Sequence, residues 1–154
     1  ALPPPAGATL ALPPPEPTNT QAEADSSTCK FRASLEWENV PDGTEIPLGK
    51  EFTKTWRLKN VGTCDWPVGT ELAFVSGEIM GANSRIVVID KTPVPVNSYL
   101  EVNVVFKAPN KPGTYRGNWM LVVPYEYGGR MFGIGENGKG FFWIEIVAYQ
   151  KQKP

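Results

Sequence analysis

The sequence predicts an all-β protein, two packed sheets behind a proline-rich tether, and three observations lead there. Downstream of Thr28, apolar residues recur with a period of two rather than 3.6. The 154 residues include 16 prolines and 15 glycines, more breakers than a helical bundle tolerates but usual for a many-turned β protein. With 41% of residues apolar and 20% charged, the chain can fill a core.

The tether is expected over residues 1–28. Ala1-Leu2-Pro3-Pro4-Pro5 recurs as Ala11-Leu12-Pro13-Pro14-Pro15, and the stretch holds no aromatic and no basic residue. Its charges are Glu16, Glu23 and Asp25. Such a segment buries too little apolar surface to offset the entropy of ordering. It is read as a disordered spacer of polyproline II and coil, with a proline-motif ligand for a partner groove as the sharper alternative. Setting those three acids aside leaves 13 acidic against 15 basic residues, scattered along the remaining chain. The whole chain carries a net charge of −1, which gives no general pull toward nucleic acid or an anionic membrane.

The folded unit is expected over residues 29–149, with 150–154 as a short tail. Phe31, Ala33, Leu35 and Trp37 alternate with Arg32, Ser34 and Glu36, and Pro41-Asp42-Gly43-Thr44 then turns the chain. Phe52, Trp56 and Leu58 share one face of the next strand; Thr53, Thr55, Arg57 and Lys59 take the other. Asn60-Val61-Gly62-Thr63 turns again, and Leu72 with Phe74 marks a short strand. Residues 86–89 are continuously apolar, which predicts a strand that is central or covered on both faces. Leu100, Val102, Val104 and Phe106 give the clearest alternation. After a turn at residues 109–113, Tyr115, Gly117, Trp119, Leu121 and Val123 alternate, and a last strand covers residues 141–149. Seven to eight short antiparallel strands, each set off by a turn, fit an immunoglobulin-like β-sandwich, with a closed barrel as the competitor.

Tyr115 opens its strand where a tyrosine corner is expected, its hydroxyl bonding back to the preceding connection. Gly117 stands where antibody-type domains carry the second cysteine, so the sheets must be joined by aromatic packing instead. The two cysteines, Cys29 and Cys64, are expected to form a structural disulfide and to place the chain in an oxidising, extracytoplasmic compartment, secreted or tethered to a cell surface. Two reduced thiols are the alternative.

Four tryptophans carry a family resemblance. Trp56 precedes Asn60-Val61-Gly62-Thr63-Cys64-Asp65-Trp66; Pro112-Gly113-Thr114-Tyr115 leads to Trp119; and Trp143 lies in the last strand. The pattern over residues 29–149 resembles the four-tryptophan, or FW, domain of the next-to-BRCA1 family, in its bacterial exported version. The resemblance implies an immunoglobulin-like sandwich with Trp56, Trp66, Trp119, Trp143 and Tyr115 as its core signature. It also implies a recognition role, since eukaryotic members recruit protein cargo. Alternation alone already puts Trp56 and Trp119 in the core; Trp66 follows a turn and precedes Pro67, and is also read as core, with a cap on one end of the sandwich as the alternative.

The chain has no histidine, which excludes Ser-His-Asp and Cys-His catalysis and imidazole metal sites. No enzyme activity, cofactor or metal is expected. Gly133-Ile134-Gly135-Glu136-Asn137-Gly138 has a nucleotide-loop look but no βαβ unit around it. Glu78 and Asn83 fall short of a calcium site. Glu126 and Glu136 would need a cleft to act as a glycosidase pair. Binding is therefore expected from a loop, and residues 124–140 hold Tyr125, Tyr127, Arg130, Met131 and Phe132 among glycines, types enriched at interfaces. The partner is expected to be a protein, not a nucleic acid, with any membrane contact made only through an upstream anchor. A glycan bound on exposed aromatics such as Tyr99, Tyr125 and Tyr127 is the alternative.

Overall fold

The computed structural model describes residues 28–152. All of the expected tether but Thr28, and the last two residues of the tail, lie outside the described residues. Nine strands follow in order: β1 (Ala33–Glu38), β2 (Thr44–Pro47), β3 (Glu51–Asn60), β4 (Glu71–Gly77), β5 (Arg85–Val87), β6 (Tyr99–Lys107), β7 (Gly113–Val122), β8 (Met131–Phe132) and β9 (Phe142–Tyr149). They form two sheets. One has the order β1-β3-β6; the other runs β2-β9-β7-β4-β5, with β8 paired to β7. The fold is the expected sandwich, with one departure from an all-antiparallel plan: β2 pairs with β9 in parallel. The sequence gives little sign of β2, because a four-residue edge strand that buries only Ile46 has no alternation to read.

Alternation decides what fills the space between the sheets. In β6 the buried positions are Val102, Val104 and Phe106, and their exposed neighbours are Glu101, Asn103 and Val105. In register against them on β3 lie Trp56, Lys54 and Phe52. Across the gap β7 contributes Trp119 and Leu121, and β9 contributes Phe142, Ile144 and Ile146, all fully buried. Each such side chain stabilises the fold by about 1.5–3 kcal/mol through burial. The rings interlock edge to face: Trp56 with Phe142 at 5.0 Å, Phe106 with Trp119 at 5.8 Å, and Phe74 with Trp119 at 5.3 Å between centroids. The Trp56 indole N–H also donates to the Trp143 carbonyl at 3.2 Å, a bond from one sheet to the other.

Three expectations are corrected. Trp143 is not a core residue. Phe142 and Ile144 take the inward positions of β9, so Trp143 points outward, where the Arg116 guanidinium lies 4.0 Å above its ring and both Asp42 carboxylate oxygens accept its N–H at 3.2 Å. The apolar run at residues 86–89 is not a central strand. β5 is a three-residue edge strand, Val87 is 52% exposed, and Ile89 alone of the run is buried. Finally, a register shift between Leu35 and Trp37 breaks the alternation of β1 and leaves Trp37 54% exposed.

Two polar side chains sit on the inward face of β3 amid this apolar core. Lys54 is fully buried, and its ammonium meets Glu38 Oε1 at 2.7 Å together with the carbonyls of Asn39 and Val40. Three acceptors match its three N–H groups, so the charge is both paired and hydrogen-bonded. Asn39 completes the tie: its Oδ1 accepts from the Thr55 N–H at 2.7 Å and its Nδ2 donates to the Thr53 carbonyl at 3.1 Å. These bonds hold Val40 at φ +46°, a conformation that a β-branched residue rarely adopts. Lys54→Met keeps the volume but strands two carbonyls and Glu38. It is expected to cost about 2–4 kcal/mol in urea unfolding; a loss no larger than that of a Lys91→Met control at an exposed position would contradict this role.

Candidate functional site

The site is built where the chain enters the fold. Asn60 ends β3 facing inward and organises the turn that follows. Its Nδ2 donates to the carbonyls of Cys64 and Val94, both at 3.0 Å, while its Oδ1 accepts the Gly62 N–H at 3.0 Å. The turn is laced to residues 30–32: Val61 N–H donates to the Arg32 carbonyl at 3.1 Å, Thr63 N–H to the Lys30 carbonyl at 3.0 Å, and Lys30 N–H to Thr63 Oγ1 at 2.9 Å. Gly62 is required by this approach, since a Cβ there would lie 2.2 Å from the Lys30 carbonyl oxygen. The Cys29–Cys64 disulfide closes the same corner, with Cα atoms 5.6 Å apart. Trp66 is fully buried; its backbone exchanges two 2.9 Å bonds with Val94, and its ring packs 5.3 Å from Phe132. Each residue of the Asn60, Gly62, Trp66 signature thus has a separate mechanical task.

The facing wall is the segment after β7. A 3₁₀ turn at Tyr125–Tyr127 ends on Gly128 at φ +101°, and β8 then pairs back on β7. A tight turn follows, closed by the Gly133 N–H to the Gly138 carbonyl at 2.7 Å and by the Ile134–Gly140 bridge. Gly138 combines φ +71° with a Cβ position only 2.6 Å from the Phe31 carbonyl oxygen, so any side chain would push the two walls apart. Three bonds join the walls: Ala33 N–H to the Gly133 carbonyl at 2.9 Å, Arg32 Nη1 to the Glu136 carbonyl at 3.2 Å, and Arg130 Nη1 to the Cys29 carbonyl at 3.0 Å. The Arg130 guanidinium also lies 4.9 Å above the Phe31 ring.

A groove of about 760 Å³ runs between these walls. Phe31, Met131 and Phe132 give it apolar lining, and among the described residues Lys30, Arg32, Arg130 and Lys139 border it with one acid, Glu136. The five residues expected to bind a ligand are divided by the fold. Arg130 and Met131 flank the groove, Met131 44% exposed. Phe132 is corrected: it is 2% exposed and packs on Phe31 and Trp66, because its strand partner Leu121 sets it inward while Met131 turns out. Tyr127 is half-buried against the core, and Tyr125, 92% exposed, borders a separate shallow hollow with Gly69, Glu71 and Arg85. Lys30 and Arg32 were not legible as site residues, since about a hundred positions of sequence separate the two walls, and Lys139 was passed over within the 124–140 loop. Their only sequence signal is the pair of glycines, Gly62 and Gly138, that lets the segments meet.

The remaining singled-out residues fall elsewhere. The Tyr115 hydroxyl donates to the Lys111 carbonyl at 2.7 Å, a tyrosine corner. Tyr99 sits on the outer face of the three-stranded sheet beneath the Arg57 guanidinium at 4.4 Å, whereas Tyr125 and Tyr127 follow β7 of the other sheet. The three tyrosines therefore form no common strip. Among the described residues no group of three or more His, Cys, Asp or Glu side chains is placed to hold a metal ion, and no helix is long and apolar enough to cross a membrane.

The fold and the groove together define an immunoglobulin-like sandwich whose entry corner and last turn enclose a preformed cleft. Residues 39–147 match the family model described as the Ig-like domain from next to BRCA1 gene, and the chain belongs to that family. It is 37% identical over 86 residues to Protein NBR1 homolog of Arabidopsis thaliana, covering 55% of this chain and 12% of that protein. Protein ILRUN of Danio rerio is 34% identical over 82 residues, 53% of this chain and 28% of that one. Next to BRCA1 gene 1 protein of Homo sapiens is 34% identical over 96 residues, 62% of this chain and 10% of that one. The chain thus spans 28% or less of the length of these relatives. Among solved structures, the CARDB domain of PF1109 from Pyrococcus furiosus aligns with a TM-score of 0.49 at 13% identity, covering 80% of this chain and 97% of that one.

Two predictions follow from the corner. Gly62→Ala is expected to destabilise the fold by about 3 kcal/mol, read as a lowered urea midpoint, because backbone meets backbone there. The bridge spans 35 positions of sequence. Replacing both cysteines with serine is expected to cost about 4 kcal/mol in the chain-entropy account; a midpoint unmoved by that replacement would mean that the corner is held without the bridge.

Proposed function

We propose that this chain is a non-catalytic binding module of an exported or cell-surface protein, and that it captures a protein partner in the groove between residues 29–32 and the turn at residues 133–139. The observation that carries the reading is the construction of the groove. Backbone bonds, a disulfide and two glycine close approaches fix both walls, so a partner meets a preformed surface and little ordering entropy is lost on binding. Met131 stands exposed beside buried aromatic neighbours, the setting of an interface anchor. Membership of the next-to-BRCA1 family supports recognition rather than catalysis. The disulfide and the acid-and-proline spacer ahead of it support an extracytoplasmic setting.

A second reading rests on another surface. Trp37 and Tyr99, 54% and 47% exposed, flank Arg57 on the outer face of β1-β3-β6, and such aromatics suit the stacking of sugar rings. Parallel screens of the full chain against a displayed peptide library and a glycan array separate the two. Under the first reading, selected peptides lose affinity about tenfold with Met131→Asp and keep it with Tyr125→Ala. Glycan binding that disappears with Trp37→Ala, with no peptide selected, would replace it by the second.

A further inference from the structure

We infer that the groove selects an acidic segment: an extended stretch of the partner in which carboxylates flank an apolar side chain. The inference rests on the protein-binding reading and specifies its ligand. Among the described residues, four cations and one carboxylate, that of Glu136, border the groove, in a chain whose net charge is −1, so the positive potential is local rather than general. The cations come in two kinds. Arg32 and Arg130 are held in place by the carbonyls of Glu136 and Cys29, and Arg130 also by the Phe31 ring. Held guanidiniums give carboxylates a fixed fork geometry. Lys30 and Lys139 stand exposed on opposite walls, able to follow a bound anion. Met131 and the edges of Phe31 and Phe132 supply apolar lining for the central side chain.

A nucleic acid fits this surface less well. The two phenylalanines are buried, 7% and 2% exposed, so no ring is offered for base stacking, and Glu136 would oppose a continuous phosphate track. The chain's own acids Glu16, Glu23 and Asp25 lie upstream of Thr28, which itself lines the groove, and are an intramolecular competitor to be tested.

The test is a titration of the full ¹⁵N-labelled chain with three synthetic peptides that share a central leucine and differ in flanks of Asp and Glu, of Ser and Gly, or of Lys. The acidic peptide is expected to shift the amides of residues 30–32, 131 and 136–139 selectively. Its Kd should rise about tenfold between roughly 50 and 500 mM salt. Lys30→Glu with Lys139→Glu, both exposed and so without effect on the unfolding midpoint, should weaken the acidic peptide about tenfold and admit the basic one. Equal binding of all three peptides in the groove would overturn the acidic selectivity and leave the protein-binding reading standing. Binding of none, with groove amides that shift when Glu16, Glu23 and Asp25 are neutralised, would make the spacer the occupant and overturn the inference. Binding of none without that shift would overturn both, and tighter binding of a single-stranded oligonucleotide than of the acidic peptide would overturn the peptide assignment.

Discussion

The indole of Trp56 joins the two sheets at the centre of the molecule. Its ring meets Phe142 of the opposite sheet edge to face and Phe106 of its own, and its N–H crosses the sandwich to the Trp143 carbonyl. Antibody-type domains place a disulfide between the sheets, but here glycine occupies the second cysteine position on β7. Shape and one directional bond therefore do the work of a covalent link. That bond also fixes the height of β9 relative to β3, and β9 is the strand on which both β2 and β7 are paired. A ring shift at Trp56 would be felt along the whole larger sheet.

Around this apolar centre, the polar residues facing inward shape the connections. Lys54 gathers the chain after β1, and Asn60 gathers the chain after β3. Each replaces backbone partners that a regular strand would have supplied, and each is buried only because every one of its donors is met. Trp66 and Trp119 differ: their buried N–H groups have no partner among the described residues, so the burial of their rings must outweigh that cost. The same connections that look irregular in outline are thus the most tightly bonded parts of the molecule. The groove inherits its rigidity from the Asn60 turn.

The architecture was legible in the sequence because a period of two is hard to produce by other means. β3, β6 and β7 lie where the alternation placed them, and the Asn60-to-Trp66 signature pointed to the right family. Alternation was a poorer guide where one residue more or less changes the face. The irregularity in β1 exposes Trp37, and a run of four apolar residues at the head of β9 hid the fact that Trp143 points outward. Lys54 was passed over because a lysine between Phe52 and Trp56 contradicts the apolar face; its partners lie in a connection that propensity does not describe. The groove was the least legible part. Residues 124–140 supply one wall of it, but the other wall is the stretch just ahead of β1, about a hundred positions away in sequence.

The position of the disulfide has a mechanical consequence. Cys29 stands ahead of β1, and its bridge leads directly to Cys64, beyond the end of β3. A pull on the chain ahead of Cys29 therefore enters the sandwich at Cys64. β1, β2 and β3 lie within the bridged loop and carry no load, so the edge strand β1 cannot be peeled from its neighbour one bond at a time. Tension applied ahead of Cys29 would pass through the bridge itself and bypass residues 30–32 and the turn at 60–63.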